Sequence, residues 1–186
     1  MEKKVAVLVC PGFEEGETLT IVDIIRRAFI TCHTFGAQKY VSGSHEIEMM
    51  CDEIISEAIT DYDMVVLPGG YGGADYMKTN SLVQKILKEM NEKGKFVCAM
   101  CAAPIALEEA GILEGRDFTA YKGYDQKIKA GNFKYDIVVQ DGNIITSRGP
   151  ATAYVFAYAL VEALGGDAQA VKSRMVYYNA FKKEGE

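Results

Sequence analysis

Val5-Ala6-Val7-Leu8-Val9-Cys10 is an unbroken apolar run that stops at Pro11-Gly12, the pattern of a strand buried on both faces and ended by a turn. The pattern recurs three times. Asp63-Met64-Val65-Val66-Leu67 runs into Pro68-Gly69-Gly70, Lys95-Phe96-Val97-Cys98-Ala99-Met100 into Cys101, and Asn143-Ile144-Ile145-Thr146-Ser147 into Arg148-Gly149-Pro150. Helix-period patterns follow these strand ends. After the first, Leu19, Val22, Ile25 and Ala28 share a predicted helical face, with acids at its start and Arg26-Arg27 near its end, where the helix macrodipole favours them. After the last, Tyr154, Tyr158 and Val161 repeat the spacing until Gly165-Gly166. Strands alternating with helices predict an α/β fold, a mostly parallel sheet covered on both faces.

Two segments depart from the alternation. Residues 39–51 read as a small hairpin turning at Ser42-Gly43-Ser44, and Ile137–Gln140 and Ile144–Thr146 flank Asp141-Gly142, a strong hairpin signal. With 186 residues and no repeat, linker or low-complexity tract, the chain reads as a single domain over 1–186. The net charge of −6 disfavours nucleic acid or an anionic membrane as partner. Met1-Glu2-Lys3-Lys4 followed by Val5 to Cys10 mimics a short signal peptide, but Glu14, Glu15 and Glu17 follow at once and no apolar run reaches roughly 18 residues, so a cytoplasmic protein is expected. Five cysteines, an odd number spread through the chain, fit free thiols better than a disulfide framework.

All four turns lie at carboxyl ends of strands, the edge where open α/β sheets bind ligands. Cys101 is the sharpest candidate there, because a residue between a buried strand and a helix sits in a tight elbow with its side chain raised. A helix N-terminus would lower its thiol pKa from the ordinary value of about 8.5. Cys98 and Cys101 form a C-x-x-C, yet an extended strand holds their Cα atoms roughly 9–10 Å apart, beyond the ~7 Å of a disulfide. No second cysteine pair or histidine cluster completes a metal site. His33 and His45 precede the cysteine in a predicted strand and in the small hairpin, and are expected to be structural or merely exposed. Glu17, about one turn into the first helix, is the more interesting partner: kept protonated by burial, it would donate a hydrogen bond to the sulfur. Glu14 and Glu15 read as acids serving the helix dipole. Gly69-Gly70 is either a plain turn or, through the Gly70 N–H together with that of Ala102, an oxyanion hole. The spacing of Gly69-Gly70-Tyr71-Gly72-Gly73 misses the dinucleotide fingerprint, so no cofactor is expected.

Taken together, Glu14-Glu15-Gly16-Glu17-Thr18, Val65–Gly70, Ala99-Met100-Cys101-Ala102-Ala103-Pro104, Thr146–Pro150 and Val161-Glu162-Ala163-Leu164 resemble the DJ-1/PfpI (ThiJ) superfamily, most closely its DJ-1 branch, over nearly the whole chain. The resemblance implies a flavodoxin-like three-layer sandwich, a homodimer, Cys101 as an oxidation-prone nucleophile and Glu17 as its protonated partner. It also brings Arg148 and Arg27 near the pocket. Implied activities are cofactor-free conversion of methylglyoxal or glyoxal to a hydroxy acid, removal of early glycation adducts, and redox-regulated chaperoning; a sister branch contains proteases. One position departs from the pattern: Tyr121 stands where such proteins commonly carry a histidine near the cysteine. With a pKa of about 10, tyrosine is a poor proton shuttle, which counts against peptidase chemistry.

Overall fold

A computed structural model describes residues 3–179; Met1-Glu2 and residues 180–186 of the expected domain lie outside the described residues. The elements run β1 (Lys4–Val9), α1 (Glu15–Arg27), β2 (Thr31–Gly36), β3 (Tyr40–Ser42), β4 (Glu48–Met50), β5 (Glu53–Ile54), β6 (Met64–Leu67), α2 (Tyr71–Thr79), α3 (Ser81–Glu92), β7 (Phe96–Met100), α4 (Pro104–Glu109), β8 (Asp117–Phe118), β9 (Asn132–Phe133), β10 (Val138–Asp141), β11 (Ile144–Ser147), α5 (Ala153–Ala163) and α6 (Ala168–Arg174).

The main sheet has the order β10-β11-β7-β6-β1-β2-β5, parallel throughout except for the β10–β11 hairpin at its edge. Val5 to Val9 and Met64 to Leu67 are completely buried, as their unbroken apolar runs require. The chain steps from β1 outward to β2 on one side, and from β6 to β7 on the other. Right-handed crossovers therefore send α1 and the α2–α3 pair to opposite faces. α1 packs on α5, and α2 on α3 and α4. The reversal of direction lies between β1 and β6, and it opens a crevice over their carboxyl ends.

α1 starts at Glu14, whose carboxylate accepts the Glu17 N–H at 2.6 Å. Its buried stripe is Glu17, Ile21, Ile24 and Ile25, and Leu19, expected on that face, is 50 % exposed. The stripe facing the sheet starts at Glu17, which carries this acid into the interior. In α5, Tyr158 and Val161 are buried but Tyr154 is exposed. The hairpin expected within 39–51 forms as β3 and β4.

Candidate active site

The loops after β1, β6 and β7 meet above the crevice, tied by a bond from the Glu14 N–H to the Gly69 carbonyl at 3.0 Å. Cys101 follows the last residue of β7 and has φ 60°, a left-handed conformation that side chains rarely adopt. Its neighbours hold it there: the Cys101 N–H donates to the Ser147 carbonyl at 3.0 Å, and the Tyr121 N–H donates to the Cys101 carbonyl at 2.8 Å. The helix beyond it does not start at the cysteine. α4 begins at Pro104, a favoured first helical residue, and is only six residues long. The N–H groups of Gly70 and Ala102, rather than a helix terminus, are what favours charge on the sulfur.

Glu17 lies beneath the cysteine, 0 % exposed. Its Oε2 accepts the Gly69 N–H at 2.6 Å, whereas Oε1 is buried with no partner in full hydrogen-bond geometry. The carboxyl and the Cys101 sulfur crowd the same side of Gly69, 2.8 and 2.9 Å from where a Cβ would stand. Gly69 is required by this packing, since a Cβ there would lie 2.5 Å from Cys101 Cβ and 2.8 Å from Glu17 Oε2. Gly70 has φ 86°, a conformation that glycine adopts without a Cβ penalty.

Burial raises Glu17 to about 7, against the lowering effect of the Gly69 N–H and the thiol. Burial, then the Glu17 charge, pushes the Cys101 thiol up to about 12, with the Gly70 and Ala102 N–H groups opposing. The lowered thiol pKa expected from a helix terminus is therefore not found. Protonating Glu17 removes the repulsion and supplies a donor to the sulfur.

Cys101 opens into a pocket of about 350 Å³ lined also by Gly70, Tyr71, Tyr121 and His45. The hairpin histidine, expected to be away from this edge, thus borders the pocket. Its ring is held by Glu15: His45 Nδ1 lies 2.9 Å from Glu15 Oε2, and the His45 N–H donates to Glu15 Oε1 at 2.7 Å. Glu15 is therefore a buried anchor for the hairpin as well as a helix acid. His33 is in β2, its Nδ1 2.7 Å from the Tyr62 hydroxyl. Tyr121 meets Tyr71 edge-on with ring centroids 6.3 Å apart.

The two arginines do not join this pocket. Arg148 lines an adjacent groove of about 330 Å³ that shares Tyr121 and Pro150 with it. Arg27 pairs with Asp23 at 2.8 Å near the far end of α1, roughly 15 Å from Glu17 at 1.5 Å rise per residue. A larger depression of about 670 Å³ beside α3 is lined by Ser81, Gln84, Lys85, Lys88, Glu89 and Glu92, with no cysteine or histidine. Glu14, Glu15 and His45 have ligand-capable atoms within 4.8 Å of one another, but both carboxylates already accept hydrogen bonds, Glu14 from Glu17 and Glu15 from the hairpin.

The DJ-1/PfpI family model matches residues 3–163. Drosophila melanogaster dj-1beta is 36% identical over 96% of this chain and 100% of its own length. The zebrafish (Danio rerio) Parkinson disease protein 7 homolog is 37% identical over 88% of this chain and 90% of its own. The crystal structure of Drosophila DJ-1beta superposes with a TM-score of 0.89, covering 95% of this chain and 98% of the other at 36% identity. An oxidized Toxoplasma gondii DJ-1 structure gives 0.88 at 29% identity, covering 94% and 98%. Both the sequence match and the superposition run through the elbow, the buried glutamate and the glycine turn, and the chain belongs to the DJ-1/PfpI family.

Proposed function

We propose that this chain is a cofactor-independent enzyme of small reactive carbonyls, of glyoxalase or deglycase type, with Cys101 as nucleophile. The observation that carries this reading is the elbow itself. One sulfur, at φ 60° in the lining of the pocket, has the Gly70 and Ala102 N–H groups favouring its charge and a buried carboxyl beside it whose pKa is raised to about 7. This reading places the proton of the pair on Glu17 and the charge on sulfur, the reverse of the order in which their values of about 7 and about 12 fall, because a proton on Oε1 gives that otherwise unpartnered buried oxygen a partner.

With methylglyoxal, the thiolate adds to the aldehyde carbon and the carbonyl electron pair moves to oxygen, which the Gly70 and Ala102 N–H groups hold. The proton on that carbon leaves and one returns to the neighbouring carbon. The aldehyde carbon is thereby oxidised to a thioester and the ketone carbon reduced to an alcohol, with no outside electrons. Water cleaves the thioester to lactate and frees the thiol. The test is lactate formation by wild type, Cys101→Ser and Glu17→Gln; wild-type turnover no better than that of Cys101→Ser overturns the reading.

A second reading, a redox sensor or redox-regulated chaperone, is favoured by a different observation. All five cysteines are free, and among the described pockets only Cys101 lines one. Peroxide followed by intact mass and peptide mapping should then add two oxygens at Cys101 before the other four react, and uniform oxidation counts against it. A homodimer, implied by the resemblance, and a cytoplasmic location, expected from the short apolar run at Val5 to Cys10 and the acids after it, belong to the same proposal. Sedimentation velocity tests the first and cell fractionation the second; among the described residues no helix is long and apolar enough to cross a membrane.

A further inference from the structure

The carbonyl chemistry above leaves one step without a residue. Glu17 serves the sulfur from beneath and has no exposed surface, so it cannot reach the carbon-bound proton of an adduct standing in the open pocket. Tyr121, at the position of the family's histidine, is a weak base. The geometry points to His45: resting on the carbonyl reading above, we propose that His45, clamped by Glu15, is the catalytic base and acid that carries the carbon-bound proton of the Cys101 adduct.

Both His45 and Cys101 line the same pocket of about 350 Å³. The His45 side chain is 70% exposed while its partner Glu15 is 6% exposed, so a buried carboxylate anchors an imidazole that faces solvent and substrate. A carboxylate only accepts hydrogen bonds; Nδ1, 2.9 Å from Glu15 Oε2, therefore carries a hydrogen. That leaves the Nε2 lone pair of the neutral ring free, with no partner among the described residues, which is the form a base requires. Ser44 Oγ, 3.1 Å from the same Glu15 oxygen and 3.0 Å from Nδ1, braces the pair.

The approach depends on Gly43, where any Cβ would overlap the Glu15 carboxylate. The charged and titratable groups facing His45 are Glu15 and Glu14 from the start of α1, and across the pocket Cys101, Tyr71 and Tyr121. Glu15, through its hydrogen bond and then its charge, raises the His45 pKa. Burial would raise Glu15 itself, but its bonds to His45 and Ser44 outweigh that and hold it at about 2, so it is ionised at neutral pH.

In the step assigned to His45, Nε2 takes the proton from the carbon bonded to Cys101 Sγ. The electron pair left behind forms the carbon–carbon double bond as the ketone's π pair moves to its oxygen, and a proton from water on that oxygen completes the enediol. Nε2–H then returns the proton to the adjacent carbon, leaving the thioester on sulfur and a neutral imidazole. Glu15 is a positioning residue, fixing the tautomer and the ring.

The experiment follows lactate from methylglyoxal across pH for wild type, His45→Ala, His45→Gln and Glu15→Gln, with iodoacetamide alkylation of Cys101 measured alongside. His45→Ala and His45→Gln should lower kcat about 10²- to 10⁴-fold, the usual contribution of general acid–base catalysis, while Cys101 alkylates within about twofold of wild type. Glu15→Gln should keep part of the activity and shift the acid limb of kcat downward in pH, because the imidazole loses its anionic partner. A purely structural role of Glu15 would not produce that shift. In wild type, deuterium at the aldehyde carbon should slow turnover. If wild type turns over and both His45 variants stay within about threefold of it, the His45 assignment falls and the carbonyl reading stands. If wild type makes no more lactate than Cys101→Ser, both fall.

Discussion

Replacing Glu17 with glutamine keeps the shape and the acceptor for the Gly69 N–H but removes the titration. In the native chain burial raises Glu17 from 4.5 to about 7. Between those values the folded state holds a proton that the unfolded state has released, so folding stability falls as pH rises through the window. The shift is worth about 3 kcal/mol at 1.36 kcal/mol per unit. Because a second ionisation beside the first is pushed to about 12, against 9.0 for an ordinary thiol, no further proton is lost on folding between pH 7 and 9. The stability of wild type relative to Glu17→Gln should therefore drop by about 3 kcal/mol from pH 4.5 to 7, and the pair adds no further change to wild type itself up to pH 9. Urea unfolding followed by far-UV circular dichroism at fixed protein concentration measures it. With a urea slope of about 2 kcal/mol/M, the gap between the two midpoints should move by about 1.5 M. A gap constant within about 0.5 kcal/mol over that range would refute the burial of an acidic Glu17.

Three further outcomes follow from the same geometry. Gly69→Ala places a methyl group 2.5 Å from Cys101 Cβ and 2.9 Å from its sulfur, so it should cost about 1–3 kcal/mol in thermal or urea unfolding and abolish Cys101 alkylation selectivity. Glu15, held at about 2 by its bonds to the hairpin, contributes stability that is complete above 4.5 and disappears as pH falls toward 2. Wild type should thus lose about 1–2 kcal/mol relative to Glu15→Gln over that range, the full shift being reduced by the solvent around His45, as acid unfolding would show. Phe156→Ala empties a fully buried position of α5 and should cost about 3–5 kcal/mol without moving the pH profile of alkylation.

Much of the fold could be read from pattern because its central strands are buried on both faces. Val5–Val9, Met64–Leu67 and Phe96–Met100 have no polar interruption, and each ends at a turn that the sheet requires. The Asp141-Gly142 turn gave away the edge hairpin. The two-residue strands β5, β8 and β9 are too short to carry a period and went unseen. Leu19 was placed on the wrong face because apolar spacing alone ignored Glu17, whose burial shifts the stripe. At the site, Cys101 and the glycines stood out because they break strands. His45 did not, since its bond to Glu15 joins residues 30 apart in sequence and depends on how the hairpin folds back over α1. Arg27, which the resemblance brings near the pocket, lies within one chain at the far end of the helix, paired with Asp23.

The most direct test of the shared proton is the pH dependence of iodoacetamide alkylation at Cys101 in the native chain, resolved from the other four cysteines by peptide mapping. If Glu17 keeps the proton and the sulfur carries the charge, the rate should rise to a plateau with a midpoint below the ordinary thiol range. In Glu17→Ala, which removes the donor, that midpoint should move up on the order of one to two pH units, since a charge-assisted hydrogen bond contributes roughly 1.5–3 kcal/mol. A wild-type rate that climbs tenfold per pH unit without a plateau up to pH 10, as a thiol ionising near 12 demands, would contradict it.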